Sequence, residues 1–121
     1  MNQLFLVAIG GALGSLSRYI LGWLIKLAFP VQFPVSTLLI NIIGSFFIGL
    51  IFSSLQHHSN FPVIKPLIII GLLGGFTTFS TFSFEVIELF ETKQMVKALL
   101  YIVLSNGLGI SAAYLGYKVL V

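Results

Sequence analysis

Four long stretches of apolar residues, interrupted mainly by glycines and small hydroxylated side chains, set the plan of this chain. They run from about Leu4 to Phe29, Ser36 to Leu55, Pro66 to Phe90 and Val96 to Val119. Each reaches the roughly 20 residues that an α-helix needs to cross a bilayer core. The runs are continuous where a membrane barrel would alternate apolar and polar positions, so the pattern predicts helices and not strands. Pro30 and Pro34 close the first run, and the one clearly polar stretch, QHHSNFPVIK at 56–65, separates the second from the third. No soluble domain, linker or low-complexity tail is left over.

Composition turns these helices into membrane helices. The chain has 121 residues, of which 58% are hydrophobic and only 7% charged, with a mean hydropathy of +1.11. Soluble domains carry about 25% charged residues, and a soluble fold of this length would need far more than six basic and three acidic side chains to cover its apolar surface. The expected fold is therefore an all-α integral membrane protein, a single transmembrane domain of four helices over residues 1–121. The segment MNQLFLVAIGG has no basic residue before its apolar run and reads as a retained helix, not a cleaved signal.

Charge narrows the function classes. The net charge of +3 is spread along the chain without a patch, which gives nucleic-acid binding no support. There is no cysteine, which removes disulfides, thiolate metal sites and cysteine nucleophiles. His57 and His58 sit side by side in the polar loop, as in a solvated turn. The three acids (Glu85, Glu88, Glu91) fall together at the end of the third helix with no histidine partner, and no triad or phosphate loop occurs, so no enzyme chemistry is expected.

Four helices put both termini on one side. Apart from Arg18, Lys65 and Lys118 fall on that side and Lys26, Lys93 and Lys97 on the other. Orientation in a membrane follows the Lys/Arg imbalance, and here there is almost none. Two readings are open: a weak signal resolved by Arg18 or by the insertion machinery, or insertion in both orientations with antiparallel pairing. Small residues recur four apart at Gly10, Gly14 and Gly22 around Arg18, at Ser45 and Gly49, at Gly71 and Gly75, and at Ser105, Gly109 and Ala113. Membrane helices pack closely through such faces, and the pattern predicts tight packing and oligomerisation.

Polar groups at membrane depth are expensive and mark function by default. Arg18 lies near the middle of the first helix with no acid on that helix to pair with; it is expected to face protein or a water-filled vestibule, the alternative being a stem that snorkels to the interface. Asn41 lies inside the second helix, as an interhelical clamp or a pathway donor. The densest signal is GLLGGFTTFSTFSFE at 71–85. Gly74-Gly75 followed by Thr77-Thr78 favours a break, and broken membrane helices free carbonyls that suit a hard cation. Phe79 and Phe82 share a face, with Ser80 and Thr81 beside them. Phenylalanine rings have positive edges, and ring edges next to hydroxyls can replace water around a small anion. Tyr101, Ser105 and Asn106 extend this as a neutral, donor-rich track without mid-membrane carboxylates, which favours an anion.

Taken together, GGALGSLSRY at 10–19, TLLINIIGSFFIG at 37–49 and GGFTTFSTFSFE at 74–85 resemble the CrcB/Fluc family of fluoride channels over nearly the whole chain. The resemblance implies a passive fluoride channel that exports cytoplasmic fluoride from a bacterium across its plasma membrane and relieves fluoride toxicity, without nucleotide hydrolysis. It implies an antiparallel, dual-topology homodimer with two pores. By the same resemblance Phe79 and Phe82 line each pore, Asn41 donates near them, and Ser80, Thr81, Tyr101 and Ser105 form a polar track. Arg18 and Glu85 belong to a vestibule, and carbonyls of Gly74 and Thr77 from both subunits hold a central structural sodium ion. The chain departs from the pattern at Gly109, where a second hydroxyl would extend the track. Some family members act only as unlike pairs; the intact motifs favour a homodimer. Two rivals stand against this reading. A small multidrug exporter would need a membrane-embedded glutamate in the first helix, where this chain has Arg18. A non-transporting assembly subunit leaves the hydroxyl-and-phenylalanine segment unexplained.

Overall fold

The chain begins its first helix where a polar side chain can start one. Asn2 Oδ1 accepts from the Leu4 N–H at 2.9 Å, satisfying one of the free donors at the start of α1, Gln3–Ala28. A computed structural model describes residues 2–121 and places four helical spans long and apolar enough to cross a membrane. The second is α2, Val35–Leu55, entered through Pro34. The third, Phe61–Glu91, is composite. It opens with α3, Phe61–Ile64, widens into a π-type helix over Lys65–Leu73, passes through a short α4, Gly74–Phe76, and ends in α5, Phe79–Glu91. The last span is α6, Met95–Val119.

The spans agree with the apolar runs to within a residue at most ends, with one clear correction. The third begins at Phe61, five residues before the expected Pro66, so part of the polar stretch is helical. Pro62 is tolerated because a first-turn N–H has no partner to lose. Pro66 then falls inside the span, where its ring collides with the carbonyl four residues back in an ordinary α-helix. The π-type widening begins at Lys65, beside it. Between α5 and α6 the turn closes tightly: Lys93 takes a left-handed conformation (φ 58°), Lys93 N–H donates to Phe90 O at 3.0 Å and Gln94 N–H to Leu89 O at 2.8 Å. That pair of bonds is the Schellman arrangement, with a lysine where glycine is usual.

Small residues set how the spans meet. α1 packs on the third span, and α2 on α6. Gly10 and Gly14 lie against the backbone of Leu67, Gly71 and Leu72, and a Cβ on Gly75 would sit 2.7 Å from the Gly11 carbonyl oxygen. Between α2 and α6, a Cβ on Gly49 would collide with the Ala113 carbonyl, and one on Gly116 with that of Phe46. These contacts correct the expectation drawn from the glycine spacing: the small faces are consumed within the chain and give no argument of their own for oligomerisation. Gly116 lies outside the expected stripes. A compact apolar cluster forms where α2, α5 and α6 converge, with Leu38, Phe82, Val86, Leu89, Ala98 and Tyr101. Outside it, large side chains such as Leu13, Trp23, Ile110 and Leu115 face outward, which is stable only in an apolar solvent. The fold is that of an all-helical, multi-pass membrane protein.

Candidate ion pathway around Thr77 and Thr78

Two residues in the third span leave helical geometry. Thr77 (φ −83°, ψ 158°) and Thr78 (φ −149°, ψ 123°) are extended between α4 and α5. Extended backbone cannot continue the i→i+4 ladder, and polar groups released at membrane depth must be satisfied by protein or water. Side chains from α1 and α2 meet them here. The Thr78 N–H, which a continuous helix would give to the Gly74 carbonyl, donates to Asn41 Oδ1 at 2.9 Å. Asn41 Nδ2 donates to the Thr78 carbonyl at 3.0 Å. The two bonds fix which way the amide points, since the reverse orientation would set donor against donor. The Gly75 carbonyl accepts from Arg18 Nε at 3.2 Å. Thr77 Oγ1 donates back to Leu73 O at 2.9 Å.

α5 then starts on Thr78, whose hydroxyl oxygen accepts from the Thr81 N–H at 3.2 Å. The Thr78 hydroxyl proton goes to Thr81 Oγ1 at 3.1 Å, with Ser80 Oγ 3.3 Å away. Because Thr81 Oγ1 accepts, its own proton remains free to donate elsewhere. This is a cluster of hydroxyls at a helix start, where backbone N–H groups already favour negative charge.

The rings stand beside it. Phe79 and Phe82 have centroids 5.5 Å apart with planes at 49°. They differ in setting: Phe79 is 75% exposed, whereas Phe82 is 7% exposed and packs edge-on against Tyr101 at 5.0 Å. Tyr101 is fully buried. Thr37 and Glu85 are its polar neighbours, yet its hydroxyl makes no hydrogen bond, and neither does the buried Ser105 Oγ on the same helix. Buried hydroxyls are normally paired. The Ser105 hydroxyl is a donor without an acceptor, and that of Tyr101 is unbonded beside the Glu85 carboxylate. Thr37 instead donates to Glu85 Oε1 at 2.5 Å.

Three cavities surround this framework. One of about 360 Å³ lies between α1, α2 and α5 and is lined by Arg18, Lys26, Ser36, Thr37, Thr78 and Thr81, among others. It holds two cations and several hydroxyls with no carboxylate, so its field favours anions. A second, about 460 Å³, joins Lys26 to Glu85, Glu88 and Gln94 at the end of α5. A third, about 260 Å³, opens beside Asn41, Ser45, Gly74, Thr77, Thr78 and Phe79.

The expected site residues thus fall into groups. Asn41, Ser80, Thr81 and Phe79 meet at the extended pair. Phe82, Tyr101 and Ser105 lie on the buried side. Arg18 is turned into the protein, against Gly75, and not out to the interface. Glu85 sits at the second cavity. Gly74 is exposed at the end of the π-type helix. Asn106 leaves the expected track: it is exposed and bonds back to Ile102 O on its own helix at 2.8 Å. Sequence reasoning missed Thr78 as the hub of the cluster, Thr37 as the partner of Glu85, and Lys26 as a wall of two cavities. Thr37 and Thr78 both lie within the motifs quoted above; what was invisible was the contact across 48 residues from Thr37 to Glu85.

The architecture defines a helical membrane protein with a cluster of polar donors at the interruption of its third span. The family described as CrcB-like protein, Camphor Resistance (CrcB), matches residues 5–117, and the chain belongs to that family. Among its relatives, the fluoride-specific ion channel FluC of Aquifex aeolicus is 43% identical over 97% of this chain and 95% of its own length. The protein of the same name from Rhizobium meliloti is 44% identical, covering 96% and 94%. That from Shewanella halifaxensis is 42% identical, covering 98% and 95%.

Proposed function

We propose that this chain is the subunit of a passive, fluoride-selective channel that lets cytoplasmic fluoride leave a bacterial cell through the plasma membrane. The observation that carries the reading is the hydroxyl and ring-edge cluster at Thr78–Phe82, in a chain whose relatives are named fluoride-specific ion channels. Fluoride is small and strongly hydrated, so it enters a membrane only if donors replace its water. Thr81, Tyr101 and Ser105 have hydroxyl protons to give, and the Phe79 and Phe82 rings present positive edges. Arg18 and Lys26 concentrate anions at the mouth of this route without binding them covalently or tightly. Nothing in the arrangement activates a nucleophile or couples a second substrate, so transport is downhill. The direct test is release of fluoride from liposomes carrying the purified protein.

The functional unit in this reading is an antiparallel homodimer with two pores. The exposed Phe79 ring, the exposed Gly74 and the open third cavity lie on one subunit's surface, where a second copy closes them into a route. The absent lysine bias supports insertion in both orientations. The interruption at Thr77–Thr78 is then a functional break. Among the described residues no cluster of three or more His, Cys, Asp or Glu is able to hold a metal, but backbone oxygens fit a hard monovalent cation. The Gly74 carbonyl has lost its Thr78 donor to Asn41, and Gly74 and Thr77 line the same open cavity. Carbonyls of these two residues from both copies would hold a structural sodium ion, which when bound balances the converging carbonyl dipoles. Dual topology predicts that a tag on the C-terminus is labelled by impermeant reagent from both faces of the membrane, in comparable amounts. Labelling from one face only would contradict it.

A further inference from the structure

The polar row on α6 stops early. Tyr101 and Ser105 carry hydroxyls one turn apart, but the next position is Gly109, buried and without a side chain. α2 runs parallel to α6 and packs closely along it. Read down α2, Thr37, Asn41, Ser45, Gly49 and Ser53 recur every four positions; each step turns about 40° around the helix, so successive members are neighbours although the row winds around α2. The register between the helices is fixed at several levels. Thr37 neighbours Tyr101, Ser45 Oγ lies 3.7 Å from the point where a Cβ on Gly109 would be, and Gly49 meets Ala113 and Tyr117. The same register brings Asn41 to the level of Ser105.

A further observation makes Ser45 more than a packing residue. It lines the open cavity shared with Asn41, Thr78 and Phe79. Ser45 has no role in the pathway described above, and its spacing alone marks it only as a packing residue.

We propose that the ion route crosses from α6 to α2 at Gly109, where Ser45 supplies the hydroxyl that α6 lacks at that level. The ligand chemistry is that of a small anion accepting neutral O–H donors. This inference rests on the fluoride-channel reading. The hydroxyl is needed at that depth, not the particular helix that carries it, and this gives the test. Ser45→Ala in proteoliposomes slows fluoride efflux by about tenfold, the scale of one lost hydrogen bond to an ion, while the protein elutes from size exclusion as the wild type does. Adding Gly109→Ser to Ser45→Ala recovers most of the rate, because a Cβ at position 109 meets only the Ser45 hydroxyl within 4 Å. Wild-type efflux from Ser45→Ala overturns the assignment and leaves the channel reading standing. Slow efflux that Gly109→Ser fails to restore also overturns it, since the defect is then one of packing. Absence of fluoride efflux from the wild-type protein strikes at the channel reading itself.

Discussion

Replacing Phe82 by isoleucine abolishes most fluoride flux while leaving an assembled, folded protein. The ring occupies a position no other side chain covers. Its ring centroid is 5.5 Å from that of Phe79 and 5.0 Å from that of Tyr101, so it joins the exposed ring on the surface to the buried tyrosine. Isoleucine keeps apolar volume in the cluster of Leu38, Val86 and Leu89, and a change of this kind costs a core about 1–2 kcal/mol. It removes the positive ring edge altogether. An ion that must shed water beside a purely aliphatic wall meets a barrier higher by a few kcal/mol, and each 1.4 kcal/mol is about tenfold in rate. Efflux lower by about 10- to 100-fold, with unchanged elution in detergent, is the expected result. Flux at the wild-type rate removes Phe82 from the pathway.

Asn41→Ala produces a different signature: loss of flux together with loss of stability. The Asn41 amide satisfies both backbone groups of Thr78, at 2.9 and 3.0 Å. Alanine leaves a half-buried N–H and C=O without partners, and such an orphan costs about 1–3 kcal/mol when water cannot reach it. The extended pair is the junction on which α5 starts, so the hydroxyl cluster and the Phe79 ring shift with it. The thermal midpoint of the detergent-solubilised protein is expected to fall by several degrees, in parallel with flux. If flux falls while the midpoint stays at its wild-type value, Asn41 acts on the ion alone and not as the clamp of the junction. Asn41→Asp separates the two bonds: it still accepts from the Thr78 N–H but cannot donate to the carbonyl, and it places a negative charge beside an anion route.

The four spans were legible because lipid as solvent imposes one rule: a helix must be apolar for about 20 residues, and these sequences are. The start of the third was not, because Pro62 and Pro66 disguise a helix that widens around them. The hydroxyl-rich run at 74–85 drew attention to the segment whose backbone is extended at Thr77 and Thr78, since glycine and β-branched residues weaken a helix locally. What closes that segment was not legible. Arg18 reaches Gly75 across 57 residues and Asn41 reaches Thr78 across 37, and no spacing rule within one helix encodes such a pair. The glycines illustrate the same division. Their four-residue spacing predicted close approach, but only the packed structure tells that they serve contacts within the chain, with Gly116 among them. The period of four from Thr37 to Ser53 is present in the sequence as well. It is masked there because serine and glycine at that spacing also read as simple packing residues.

The proposed function is a route in which neutral donors, not charges, replace the water around a small anion. The most direct test of that claim is efflux from proteoliposomes loaded in turn with fluoride and with chloride, followed with ion-selective electrodes after the membrane potential is released. Rapid, passive release of fluoride with chloride retained is the predicted result. Retention of fluoride by liposomes shown to contain folded protein, or equal release of both anions, contradicts it.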